Sequence, residues 1–165
     1  MSKKVAYYGI FAALAVLMGY VEFVLPSPVP IQGVKLGLAN VIVVIAMYFM
    51  GEKSALAISI VRVIMSSLLF GGFSGFLYSI AGALVSFGAM CIVKKIKAVS
   101  IIGVSIVGGI FHNIAQITVA ALVLNTKGVF YYLPVLLISG VITGIIIGLI
   151  SKYCLAHIEK AGIRF

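Results

Sequence analysis

Apolar residues run almost unbroken along this chain, and its elements are defined by the few places where the runs stop. The first run extends from about Val5 to Leu25 and ends at Pro26-Ser27-Pro28-Val29-Pro30, a stretch that cannot continue a helix. Ile31-Gln32-Gly33-Val34-Lys35 leads into a second run, about Leu36 to Met50, which is short for a full membrane crossing. Gly51-Glu52-Lys53 is a tight connection to a third run, about Ser54 to Phe70, which Gly71-Gly72-Phe73-Ser74-Gly75 breaks. A fourth runs from about Phe76 to Val93, stopping at Lys94-Lys95-Ile96-Lys97, and a fifth from about Ser100 to Leu124. Asn125 to Phe130 form a loop before the sixth, about Tyr131 to Ile150. Each crossing needs about 20 apolar residues, so the pattern predicts an all-α polytopic membrane protein of about six transmembrane helices. Residues 1–165 are expected to form a single transmembrane domain.

Composition supports the same class. The chain is 64% hydrophobic and 9% charged, against roughly 45–50% and about 25% for a soluble domain. The formal net charge of +9 does not point to nucleic acid, because Lys and Arg sit at the ends of apolar runs and form no sustained basic face. The partner that this distribution implies is the lipid bilayer. With the amino terminus inside, the inner ends and loops hold Lys3, Lys4, Lys53, Lys94, Lys95, Lys97, Lys152, Lys160 and Arg164, and the outer loops hold Lys35 and Lys127. That asymmetry predicts a multi-pass protein of the cell membrane with both termini cytoplasmic. Tyr7, Tyr8, Tyr48 and Tyr153 fall near inner ends and Tyr20, Tyr78, Tyr131 and Tyr132 near outer ends, supplying the interfacial belt in a chain without Trp. Lys3 and Lys4 before an apolar run imitate a signal peptide, but the run continues to Leu25 and reads as a retained helix. Cys91 and Cys154 fall near inner helix ends, where free thiols are expected.

Small residues mark where helices can approach closely. Gly140, Gly144 and Gly148 form a stripe on the sixth helix, which reads first as packing within the bundle. The first helix carries two pairs at four-residue spacing, Gly9 with Ala13 and Ala15 with Gly19, open either to internal packing or to an external partner helix.

Ionisable residues inside a membrane span are costly, on the order of 2.5–3.5 kcal/mol for Arg on insertion scales, and need compensation. Arg62 lies eight residues into the third run, roughly 12 Å along the helix, and His112 about eleven residues into the fifth, roughly 16 Å along. The two therefore sit at comparable depths. His112 and Gln116 share a face, with Asn113 beside them. Glu22 lies four residues before the proline break, Asn40 in the outer part of the second helix, and Lys35 at its start. Two readings stand. One is a structural polar network in which Glu22 and Arg62 neutralise each other. The other is a ligand pocket open to the outside, lined by Glu22, Lys35, Asn40, Arg62, His112, Asn113 and Gln116, with the proline-rich loop as its lid. Lys35 by itself reads more simply as an interfacial anchor, and His157 beside Glu159 as a solvated tail residue.

Much chemistry is set aside. There is no Asp, and Glu occurs at positions 22, 52 and 159 alone, so no metal site and no Mg²⁺-dependent diphosphate chemistry is expected. Gly108-Gly109 belongs to neither a G-x-G-x-x-G nor a G-K-[ST] phosphate loop. No cofactor and no catalytic residue is expected.

Several segments together resemble one membrane family. They are Leu25-Pro26-Ser27-Pro28, Gly33-Val34-Lys35-Leu36-Gly37-Leu38-Ala39-Asn40, Leu69-Phe70-Gly71-Gly72-Phe73-Ser74 with Tyr78-Ser79-Ile80-Ala81-Gly82, Gly103-Val104-Ser105 with His112-Asn113-Ile114-Ala115-Gln116, and Tyr132-Leu133-Pro134-Val135-Leu136 with Ser139-Gly140. The family is the Gx transporter family, also labelled heptaprenyl diphosphate synthase component I, and it is similar in layout to the substrate-binding S components of energy-coupling factor (ECF) transporters. That resemblance implies a six-helix bundle binding a small vitamin-like or anionic molecule near its outer face. It also implies that small residues of the first helix, here Gly9, Ala13, Ala15 and Gly19, contact an ECF coupling subunit joined to cytoplasmic ATPases. The synthase label implies instead a non-catalytic membrane partner in isoprenoid or quinone metabolism, or in flavin-linked electron transfer.

Overall fold

The computed structural model describes residues 2–25, 37–163 and 165, and the described residues are helical with short turns and no strand. Six α-helices follow in order: α1 Ser2–Val24, α2 Asn40–Phe49, α3 Glu52–Ser66, α4 Gly72–Lys94, α5 Ile101–Val123 and α6 Leu133–Lys160. A π-helical turn, Ser67–Gly71, joins α3 to α4, and a 3-10 turn, Lys127–Tyr132, precedes α6.

Among the described residues four helical stretches are long and apolar enough to cross a membrane: Lys3–Val24, Glu52–Lys94, Ile101–Val123 and Lys127–Lys160. The second, 43 residues including α3 and α4, would reach about 65 Å if straight, twice the hydrocarbon thickness of about 30 Å. It is not straight. Gly72 takes φ +63°, a left-handed conformation that stops α3 and restarts the chain as α4, and the two helices then pack on each other. The break falls on this one glycine of the glycine-rich stretch; Gly75 is helical and buried. Six crossings require this stretch to pass twice and α2 to pass once.

At ten residues α2 is about 15 Å long, half a bilayer. It begins at Asn40, later than the apolar run suggests, because Gly37 at φ +81° and the turn that follows it precede the first helical residue. Asn40 through Met47 are all buried. A helix that is apolar all round belongs in a core, and α2 supplies the largest share of this one, packed by Phe11 and Ala15 of α1, Ile58 of α3, Phe87 and Met90 of α4, Val104 of α5 and Ile147 of α6. Its last turn is held by Lys94, whose Nζ donates to the Met47 carbonyl at 3.0 Å and lies 3.4 Å from Glu52. A cation at a helix C-terminus offsets the exposed carbonyl dipoles.

Outside the core the surface is apolar. Leu68, Phe73, Leu122 and Ile138 are all more than 60% exposed, and α1 presents Ile10, Leu14, Leu17, Val21 and Val24. Continuous apolar surface of this extent belongs against lipid. Cys91 and Cys154 are free thiols, as expected. One boundary differs markedly: α6 continues past Ile150 to Lys160, because no residue before Gly162, at φ +67°, breaks it. Its start moves too, since Lys127–Tyr132 wind as a 3-10 turn and Pro134 fits the first turn of the α-helix.

The glycine stripe of α6 packs against α5. A Cβ on Gly144 would stand 2.5 Å from the Ile106 Cα, one on Gly148 2.6 Å from the Ile102 Cα, and one on Gly109 of α5 2.4 Å from the Gly140 carbonyl oxygen. These are backbone atoms, so the helices must separate to admit a methyl group. Gly144→Ala is therefore expected to lower the thermal midpoint of the detergent-solubilised protein, a cost of about 1–3 kcal/mol for overpacking. Gly9→Ala, where nothing lies within 4 Å, should leave the midpoint unchanged.

Candidate functional site

The buried face of α1 is Phe11, Ala15, Gly19 and Glu22, spaced by three or four residues. This places Glu22 inside the bundle, where its Oε1 accepts the backbone N–H of Gly37 and that of Leu38, the second at 3.2 Å. The carboxylate thus holds the turn that enters α2, and it sits near the positive end of that helix, where a negative charge is stabilised. Glu22 has a job in the backbone besides any pairing with Arg62.

Arg62 is carried on the buried face of α3 with Ile58, Ser59 and Ser66. Its side chain is 6% exposed, and the charge of Glu22 acts on it. Its Nε and Nη2 atoms are buried with no hydrogen-bond partner among the described residues, as is the Ser66 hydroxyl one turn further along the same face. Ser66 lies against α1, its Oγ 2.8 Å from where a Cβ on Gly19 would be.

His112 is held by the absence of side chains around it. A Cβ on Gly82 of α4 would stand 2.7–3.1 Å from three atoms of the imidazole, and one on Gly37 would stand 3.7 Å from its Cδ2. The amide Nδ2 of Asn40 lies 3.0 Å from that same Gly37 position. Glu22, Gly37, Asn40 and His112 therefore form one connected group, with Arg62 reached through the charge of Glu22. Gln116, one turn beyond His112, is fully buried. Asn113 points elsewhere: its Nδ2 donates to the Leu136 carbonyl of α6 at 2.6 Å, which makes it a tie between α5 and α6. Lys35 and the proline-rich segment expected as a lid lie outside the described residues. Cavities of about 470 and 540 Å³ lie apart from this group. The first is lined by Tyr48, Leu155, Ile158 and Phe165 among others, the second by Ile64, Leu68, Phe73 and Phe76 beside the π turn. Among the described residues no three His, Cys, Asp or Glu side chains cluster as metal ligands.

The small residues of α1 divide. The two pairs are two residues out of phase, about 200° around the helix, so they cannot share a face. Ala15 and Gly19 are buried in the bundle, and Gly9 and Ala13 are exposed. Gly82 and Ser66 are the site residues that sequence reasoning missed. Their signal was the spacing Ser79, Gly82, Ser86 on α4 and Ser59, Arg62, Ser66 on α3, small or polar residues recurring on one face of each helix.

The close contact of His112 with Gly82 sets a test. Gly82→Ala should destabilise the protein by displacing the ring, while Gly82→Ala with His112→Ala should recover part of that loss, a non-additivity of about 0.5–3 kcal/mol for residues in contact. Thermal midpoints of the single and double variants measure it; strict additivity would place the ring away from Gly82.

No curated protein and no solved structure is a significant match to the chain. Residues 11–154, which include all six helices in whole or in part, match a family model described as heptaprenyl diphosphate synthase component I. A bundle with apolar membrane-facing helices and a buried polar group, matched over most of its length, belongs to the heptaprenyl diphosphate synthase component I family.

Proposed function

We propose that this protein is a membrane-embedded binding and translocation subunit for a small vitamin-like or anionic molecule, built like the S components of ECF transporters. The observation that carries the reading is the buried group of Glu22, Asn40, Arg62, His112 and Gln116, drawn from α1, α2, α3 and α5. A bundle held together by dispersion alone has no use for an arginine whose Nε and Nη2 meet no partner among the described residues. In this reading the six helices cross as six spans, with α2 crossing in part. Both termini face the cytoplasm of a cell membrane, and Lys35 is a further candidate ligand residue. The protein itself is not an enzyme. The exposed Gly9 and Ala13 of α1 are the part of its small-residue stripe available to a coupling subunit with cytoplasmic ATPases.

The family's own description supports a second reading, because a component I implies a partner component. There the chain is a non-catalytic membrane partner in isoprenoid or quinone metabolism, or in flavin-linked electron transfer. A small molecule retained by the purified protein separates the two.

Mass spectrometry of extracts from the purified protein is expected to find such a molecule, and Arg62→Met to lose it. Removing one partner of a buried charge pair costs about 3–5 kcal/mol, whereas removing both often restores stability. Arg62→Met with Glu22→Gln should therefore regain a normal melting profile without regaining ligand, since Gln keeps an oxygen for the Gly37 and Leu38 N–H groups. Retention of ligand by the double variant would make Arg62 a purely structural residue.

Orientation is tested by labelling. With Cys91 and Cys154 replaced by Ser, a membrane-impermeant thiol reagent should label Thr126→Cys in intact cells and spare Lys95→Cys and Lys152→Cys. Labelling of Lys95→Cys from outside would overturn the arrangement.

A further inference from the structure

The guanidinium of arginine is planar, and its donors divide between edges. Nε–H and one hydrogen of Nη2 point along the same edge, a fork whose spacing matches the two oxygens of a carboxylate or phosphate. In Arg62 both unpartnered atoms, Nε and Nη2, belong to this edge. The side chain is more than nine-tenths buried, so water does not readily take the place of a partner. The Ser66 hydroxyl, also buried without a partner, stands on the same face of α3 one turn on. The π turn at Ser67–Gly71 begins at the next residue, and such turns recur at functional positions in helices.

Glu22 does not bond this edge. Its Oε1 is engaged by the backbone of Gly37 and Leu38. Its charge acts on Arg62, but the Nε and Nη2 edge stays unbonded. Charge and geometry are thus separated: part of the neutralisation comes from Glu22, and the directional donors have no partner among the described residues.

We infer that the Nε and Nη2 edge of Arg62 is a preformed fork for an oxyanion, so that the ligand carries a carboxylate or phosphate group whose two oxygens are received in two parallel hydrogen bonds. The inference rests on the ligand-binding reading of this site and narrows its substrate class. A ligand that is merely polar, or cationic, does not complete the arginine. Lysine in the same place would carry the charge without the fork.

The test uses the full chain, purified in a detergent with no phosphate in its headgroup, with sodium acetate and sodium phosphate as probes against sodium chloride at matched ionic strength. An anion that binds the folded protein alone raises the thermal midpoint with concentration. At least one oxyanion is expected to do so where chloride does not, with the apparent affinity falling at least about tenfold in Arg62→Lys, since a bidentate site is not conserved by that change. A response to acetate alone assigns a carboxylate, one to phosphate alone a phosphate ester, and one to both the shared fork. An equal response in Arg62→Lys, or none to either oxyanion in the unsubstituted protein, would overturn the inference. If Arg62→Lys does not fold, the unsubstituted site still reports: the chain has two arginines, Arg62 and Arg164, so in Arg164→Lys the remaining Nε–H resonance belongs to Arg62 and must shift with the anion. A retained small molecule without carboxylate or phosphate would overturn the fork and leave the binding reading standing.

Discussion

The fold depends on a carboxylate with no water to solvate it. Glu22 is buried, and in a low-dielectric interior its charge persists only if the protein supplies donors. It receives them from the backbone of Gly37 and Leu38. This single clasp joins the end of α1 to the start of α2 and settles where α2 begins. It brings a helix that spans only half the bilayer into the centre of the bundle. Asn40 and His112 lie around that turn, and Gly82 lies against the His112 ring. Membrane interiors demand that polar backbone groups be satisfied within the protein, and here the demand is met by a side chain from another helix.

The rest of the bundle is held by shape. Gly109 against Gly140, Gly144 against Ile106 and Gly148 against Ile102 bring α5 and α6 within backbone contact, where dispersion between many atom pairs replaces the hydrophobic force that lipid removes. Asn113 adds one directional bond to the Leu136 carbonyl at the same interface. At the opposite end of α2 from Glu22, Lys94 joins α4 to the Met47 carbonyl and to Glu52. Each of these polar bonds ties two elements.

The all-helical class and most helix ends were legible in the sequence because proline, glycine and lysine clusters interrupt apolar runs for physical reasons. α1 ends at Val24, just before the first proline of the sequence, and the Ser100 side chain accepts the Gly103 N–H to start α5. The extension of α6 to Lys160 was not legible, because hydropathy falls after Ile150 while helix-forming residues continue. The π turn was equally hidden, since Ser67-Leu68-Leu69-Phe70 reads as ordinary helix. In the site, the residue types were legible and their partners were not. Arg62 and Glu22 stood out as charges in apolar runs, but the backbone role of Glu22 depends on a turn far along the chain. The ring of His112 lies against Gly82, thirty positions away, and nothing in either segment alone names the other.

The intimate contact of α5 with α6 also decides where the molecule can bend. Helices locked backbone to backbone travel together, and α4 packs on α5 along much of its length. α1 and α3 pack on each other, α3 continues into α4 through the left-handed Gly72, and α2 bridges the two sets, packed on α3 and on α6. Glu22 and Arg62 belong to one group, and His112 and Gln116 to the other. The buried polar residues are therefore shared between the two sets, with α2 packed against both. Parting the two sets would expose α2, which is buried against both, so the core itself resists any change in the posture of the bundle.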